Sequence, residues 1–239
     1  MQAKEIKIKF EKCESSGYLF SPSKSNNIGI LFVHGWGSSK DQFYKRALML
    51  CEKGFTSLTF DMCGFGQTKT DLTKISPRDH KENLLSAYKV LEKIKLKKII
   101  VCGFSYGGFI TALASENKKI KSIILNAPVI YEDKLINKSL WEKKRFLSWV
   151  VWHKTDGDFK NLEAIKNIAN FRGDLLVIGA EMDEIASENV LNEYFKAAIK
   201  AKSRKIIWIE GANHLLTGKR WQEKFVTILS LWAKEKNEN

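Results

Sequence analysis

Gly103-Phe104-Ser105-Tyr106-Gly107 fits the pattern G-x-S-x-G. Three fixed positions of common residues recur by chance in about one chain in ten of this length, so context decides what the serine does. An apolar stretch at 98–102 comes immediately before it, and a helical pattern begins immediately after. A strand that runs straight into a helix through such a segment holds a serine hydroxyl on a tight, strained turn at the strand's carboxyl end. The glycines at both flanks leave room for the turn, and Gly108 allows close packing behind it. Helix capping is the plainer role for a serine placed there. The sharper role is that of a nucleophile, which needs a neighbouring base to take its proton.

The chain has four histidines, and in an open α/β sheet the base must lie in a loop beyond a strand's carboxyl end. His34 follows a strand but precedes the serine, and its expected role is to shape its own loop by hydrogen bonding. His80 opens a helix and His153 lies in an irregular stretch; both are expected to be solvated or locally bonded. His214, in Gly211-Ala212-Asn213-His214, follows the apolar segment 204–209 and meets the requirement. A carboxylate must then hold the histidine's tautomer. Asp183 ends Gly179-Ala180-Glu181-Met182-Asp183 just past the segment 174–179, with Glu181 and Glu184 as near rivals and Asp156 and Asp158 as remoter ones. Acyl transfer also needs donors for the developing oxyanion. The Tyr106 N–H opens the helix after Ser105, and the loop His34-Gly35-Trp36-Gly37 offers the Trp36 N–H as the second donor, while both side chains are placed to line a pocket. Asp61-Met62-Cys63-Gly64-Phe65-Gly66-Gln67 lacks the lysine spacing of a phosphate loop and reads as a structural turn.

The elements that must position these residues alternate along the chain. Residues 4–10 and 17–21 read as an antiparallel pair at the N-terminus. Strands then fall at 28–33, 55–60, 98–102, 120–125, 174–179 and 204–209, separated by helices at about 41–53, 77–94, 106–117, 187–201 and 218–235. The run Ile28-Gly29-Ile30-Leu31-Phe32-Val33 is apolar throughout, as a strand covered on both faces must be. The pattern implies an α/β fold: one mostly parallel, twisted sheet of about eight strands with helices on both faces. The stretch 128–172 breaks the rhythm and reads as a small cap insertion over the sheet's edge, an ordinary crossover helix with long loops being the blander alternative. Within it, a helix would align Leu140, Leu147 and Val151 on one stripe and leave Trp149 and Trp152 to line a pocket or its rim.

The 239 residues, with 44% hydrophobic content, are enough for one well-buried core, so residues 1–239 are read as a single domain. Net charge is +13, from 40 basic and 27 acidic residues, but only six of the basic residues are arginine. The lysines are scattered along the chain, and nucleic-acid readers lean on arginine. A solubilising bias is therefore expected and no nucleic-acid partner; attraction to anionic substrates or peripheral contact with an acidic membrane surface is the alternative. No stretch approaches the roughly 18 apolar residues of a membrane span, and the charged N-terminus does not read as a secretory signal. The spacing of Cys13, Cys51, Cys63 and Cys102 fits neither a metal pair nor a disulfide scaffold, so free thiols in a reducing cytoplasm are expected.

Together these landmarks resemble the α/β-hydrolase superfamily over nearly the whole chain. His34-Gly35-Trp36 is similar to its oxyanion loop, Asp61-x-x-Gly64-x-Gly66 to its recurrent turn, and Gly103-Phe104-Ser105-Tyr106-Gly107-Gly108 to its nucleophile elbow. Asp183 and His214 stand where that superfamily carries its acid and histidine. The nearest resemblance is to small capped bacterial carboxylesterases, including cinnamoyl (feruloyl) esterases, and to monoacylglycerol lipases and serine aminopeptidases. Dehalogenases and epoxide hydrolases carry an aspartate nucleophile and dienelactone hydrolases a cysteine; Ser105 differs from all three. The resemblance implies a serine esterase acting on small to medium acyl or aryl-acyl esters, with a small-molecule substrate and no metal or cofactor. An amidase or aminopeptidase, an acyltransferase, and a non-catalytic ligand-binding homologue are the alternatives. Oligomeric state is not legible.

Overall fold

The computed structural model describes residues 2–139 and 159–235. Eight strands form one sheet in the order β1-β2-β4-β3-β5-β6-β7-β8. They are β1 (Gln2–Phe10), β2 (Cys13–Ser21), β3 (Ile28–Val33), β4 (Thr56–Phe60), β5 (Lys98–Phe104), β6 (Ser122–Asn126), β7 (Asp174–Met182) and β8 (Ser203–Asn213). The first two strands pair antiparallel with each other, and β2 pairs antiparallel with β4. From β4 across to β8 every pairing is parallel. All parallel strands therefore end on one edge, and the loops leaving β3, β4, β5, β7 and β8 converge there.

The helices are α1 (Tyr44–Glu52), α2 (Pro77–Glu92), α3 (Tyr106–Ala114), α4 (Asp133–Ile136), α5 (Glu163–Asn170), α6 (Glu188–Ala197) and α7 (Lys219–Glu235). α1 packs with α7, whereas α2, α3, α5 and α6 pack in succession with one another. β3, β4 and β6 are buried at every position, because helices cover both faces of the sheet's centre. α2 begins where the sequence signals it. Ser76 accepts from the Asp79 N–H, Asp79 accepts in return from the Ser76 N–H, and Pro77 occupies the first helical position.

Two elements differ from the sequence reading in ways that matter. The N-terminal hairpin turns tightly at Glu11 and Lys12, so that Phe10 opposes Cys13 and β2 starts four residues earlier than its apolar pattern suggests. In the stretch 128–172, α5 is a body helix: Ala164, Ile165 and Ile168 are buried, and Asn167 Nδ2 donates to the Leu113 carbonyl of α3 at 3.0 Å. The Glu163 N–H donates to Asp133 Oδ1 at 2.8 Å, and Arg78 on α2 clasps the Glu163 carboxylate with two hydrogen bonds of 2.6 and 2.8 Å. These contacts bring the two described ends of the stretch together against α2. Trp149 and Trp152, with Asp156, Asp158 and His153, lie outside the described residues.

The expectation of four free thiols is corrected. Cys13 and Cys63 form a disulfide with their Cα atoms 5.9 Å apart, while Cys51 and Cys102 are free and buried. Sequence spacing hides this pairing because the two cysteines meet only through β2–β4 register. Continuing the pair Gly17↔Phe60 towards the start of β2 brings Cys13 beside the turn at 63–64. Closing so long a loop stabilises chiefly by restricting the unfolded chain, by about 2–4 kcal/mol. Cys13→Ser with Cys63→Ser should therefore lower the Tm by several degrees, and reductant should lower the wild-type Tm to the same value. Equal Tm values for oxidised wild type and the double variant would contradict the bond's contribution.

Candidate active site

Ser105 joins β5 to α3 with φ 52° and ψ −117°, a conformation that L-residues rarely adopt. The turn is tight because its flanks nearly touch. A Cβ at Gly103 would lie 2.2 Å from the Gly107 carbonyl oxygen, and one at Gly107 would lie 2.2 Å from the Val33 carbonyl oxygen. Only glycine fits at either position, so α3 packs directly on β3 and β5. Backbone hydrogen bonds clamp the strained residue to the end of β6: Ser105 N–H donates to Asn126 O at 2.9 Å and Val129 N–H to Ser105 O at 3.3 Å. The hydroxyl is thus held at the strand's end, in a residue that is 8% exposed.

His214 Nε2 lies 3.1 Å from Ser105 Oγ, and His214 Nδ1 lies 2.8 Å from Asp183 Oδ2. The other Asp183 oxygen, Oδ1, accepts the N–H groups of Ile185 and Ala186, each at 2.8 Å. That oxygen is fixed by backbone, so Oδ2 faces the imidazole as an acceptor. Nδ1 then carries the proton and Nε2 is left to accept from the serine. The parallel pairing of β7 with β8 makes the meeting possible, since it brings Met182 opposite Asn213 through a bulge at Ala180–Met182. Glu181, the nearest rival, accepts instead from the Gly211 N–H at 2.7 Å, and Glu184 is exposed. Arg46 of α1 ties down the histidine loop, donating to Leu215 O at 3.0 Å. Its burial pulls the guanidinium down to about 10.

On the other side of Ser105, the loop after β3 is held by two buried groups. The Met62 N–H donates to His34 Nε2 at 3.0 Å, so Nδ1 bears the proton and donates to Gly35 O at 2.7 Å. Asp61, fully buried, accepts from the Lys40 N–H at 2.7 Å, Lys40 Nζ at 3.2 Å and the Gln67 N–H at 3.0 Å. The turn read in the sequence as structural is therefore the anchor of its neighbour. A Cβ at Gly66 would overlap the Asp61 carboxylate, which explains the glycine. Gly35 approaches Ser105 so closely that an added Cβ would sit 3.6 Å from Ser105 Cβ. Among the described residues, neither the Trp36 nor the Tyr106 N–H has a hydrogen-bond partner.

Comparison with known proteins bears on the fold that carries these residues. Residues 30–145 match the family model described as the alpha/beta hydrolase fold. Est1E from Butyrivibrio proteoclasticus, solved with ferulic acid bound, superposes with a TM-score of 0.77, covering 98% of this chain and 100% of that one at 15% identity. The chain has the α/β-hydrolase fold. A protein provisionally named esterase/lipase 2 from Mycoplasma genitalium is 29% identical over 126 residues, 52% of this chain and 46% of its own length. Its namesake in Mycoplasma pneumoniae is 24% identical over 213 residues, 84% of this chain and 76% of its own. The chain thus spans about half of the first of these relatives and three quarters of the second.

In this α/β-hydrolase fold a cavity of about 240 Å³ opens on Ser105 and His214, walled by Trp36, Phe104, Tyr106, Tyr131, Ile185 and Leu215. Trp36 and Tyr106 meet edge to face at 5.2 Å, and Tyr106 and Tyr131 at 5.7 Å. The Tyr106 hydroxyl turns away from the cavity to donate to His80 Nδ1 at 2.7 Å, while His80 Nε2–H donates to Cys63 O at 2.9 Å. Of the two roles expected for His80, solvated or locally bonded, the structure shows the bonded one: it is buried and supports the wall of the cavity through Tyr106. Phe104, Tyr131, Ile185, Leu215, Arg46 and His80 carry no motif. Only chain proximity to Ser105, Asp183 and His214 could have marked Phe104, Ile185 and Leu215. Among the described residues, no three metal-capable side chains cluster.

Burial lowers both His34 and His80 from the usual 6.5 to about 4. Each is neutral in the folded protein, whereas the unfolded chain takes up protons below about pH 6.5. Their stabilisation is thus intact above that pH and lost as pH falls towards 4. Thermal melts from pH 7.5 to 5 should show a falling Tm. His80→Gln, which keeps a donor and an acceptor, should show a shallower fall than wild type. Parallel slopes would contradict the assignment.

Proposed function

We propose that this chain is a serine hydrolase that cleaves carboxylic esters through an acyl-enzyme intermediate. The observation that carries the reading is the hydrogen-bonded line Ser105–His214–Asp183 opening on the aromatic cavity. Ser105 Oγ attacks the ester carbonyl as its proton passes to His214 Nε2, and Asp183 stabilises the imidazolium that forms. The oxyanion develops beside the Trp36 and Tyr106 N–H groups, which are free to donate and already fixed by the Asp61 and elbow contacts. His214 then protonates the departing alcohol. A water attacking the acyl-enzyme gives up its proton to His214 and releases the acid and Ser105.

A cavity of about 240 Å³ suits a small to medium acyl or aryl-acyl group, being somewhat below the usual ligand pocket of roughly 300–1,000 Å³. Its aromatic walls and the ferulic acid in the structural neighbour favour aryl-acyl groups as candidates. The stretch around Trp149 and Trp152 is proposed as a cap that trims this range. No helix among the described residues is long and apolar enough to cross a membrane. The Cys13–Cys63 bond weighs against the cytoplasmic expectation and towards oxidising surroundings.

Ser105→Ala should abolish both p-nitrophenyl ester turnover and labelling by a fluorophosphonate probe, with an unchanged Tm. Asp183→Asn should lower kcat by on the order of 10⁴, by leaving His214 in the wrong tautomer. Persistent labelling in Ser105→Ala would move the nucleophile elsewhere and overturn the reading.

A further inference from the structure

We propose that Gln42 and Ser38 form a polar subsite on the alcohol side of the cavity, selecting esters whose alcohol carries a second oxygen atom; the proposal rests on the serine-hydrolase reading above. Gln42 is half-buried and lies in the helical turn Lys40–Phe43 that leads into α1. The Gly35 N–H donates to Gln42 Oε1 at 2.9 Å. An N–H can only donate, so the amide oxygen must face Gly35 and the NH₂ group must lie on the other side of the amide. Both Gln42 and Ser38 line the cavity. Among the described residues, neither Gln42 Nε2 nor Ser38 Oγ has a hydrogen-bond partner.

The rest of the wall offers little competition. It is chiefly apolar, and the Tyr106 hydroxyl is already given to His80. On the side of Gly35 and Trp36 the cavity is walled by the turn that carries Ser38 and Gln42, and His214 and Leu215 wall it too. The His214 loop is held near the start of α1, where Arg46 donates to the Leu215 carbonyl. His214 hands its proton to the leaving alcohol, so the alcohol part of the substrate lies against this wall. A Gln42 NH₂ can donate but not accept. It therefore recognises an ether, carbonyl or hydroxyl oxygen and gains nothing from a methylene group.

The test compares kcat/KM for 2-methoxyethyl butanoate and n-butyl butanoate, which differ by one oxygen in place of one CH₂ in the alcohol. Wild type should favour the methoxyethyl ester by roughly three- to tenfold, the discrimination one neutral hydrogen bond supplies. Gln42→Glu keeps an acceptor for Gly35 but puts an oxygen where the donor was, and the ratio should fall below one. Ser38→Ala should lower the ratio by a smaller factor, and it decides together with the wild-type ratio if the glutamate variant fails to fold. A wild-type ratio of one or less, or a ratio unmoved in Gln42→Glu, overturns the subsite while turnover of both esters leaves the hydrolase reading standing. Fluorophosphonate labelling without turnover of either ester also overturns the subsite. Neither turnover nor labelling overturns the hydrolase reading and the subsite with it.

Discussion

Ser105 is held in a backbone conformation that costs on the order of 1–3 kcal/mol, and much of the surrounding architecture serves to keep it there. A residue released from that turn would relax, and its hydroxyl would leave the sheet edge. Two glycines remove the side chains that would push α3 away from β3, and backbone hydrogen bonds to the end of β6 close the turn from the other side. The strained residue is thus over-determined by three neighbouring strands. The placement of the Ser105 hydroxyl beside His214 depends on that local rigidity.

The second requirement is that the loop after β3 stay where the turn after β4 can hold it. A buried carboxylate does this by bonding across the gap. Asp61 gathers two N–H groups and the Lys40 ammonium, itself fully buried and 4.9 Å from the Tyr18 ring. Removing one partner of such a pair leaves a buried charge unmatched, which is costly. His34 adds a neutral link between the same two loops, and its low proton affinity keeps that link from charging. The Trp36 donor proposed for the oxyanion therefore rests on contacts made by its neighbours in the loop.

Much of this was legible because it is written in local patterns. Apolar runs marked β3 and β5, glycine spacing marked the elbow, and Ser76-Pro77 marked the start of α2. Ser105, Asp183 and His214, which the structure brings into hydrogen-bond contact, could be grouped because each follows a strand and parallel strands end on one edge. What escaped depends on register or on packing between distant segments. The disulfide needs β2 to lie antiparallel to β4. His80 reads as a helix-start residue until α2 is packed against α3, where it meets Tyr106. Gln42 has no sequence signature at all; its amide matters because the turn that carries it lies beside Gly35. α5 was absorbed into an expected insertion because the apolar face at 164–168 is short and follows a long irregular stretch.

The Cys13–Cys63 bond divides the chain topologically. Everything between those cysteines forms a covalent ring, and that ring contains His34, Gly35, Trp36, Lys40, Gln42 and Asp61. Ser105, Asp183 and His214 all lie on the linear remainder. Ring and remainder are one covalent chain, and the side of the sheet that carries Ser105 meets the ring along the β3–β5 seam. Loosening that seam would part the Gly35–Trp36 loop from Ser105 without opening the ring.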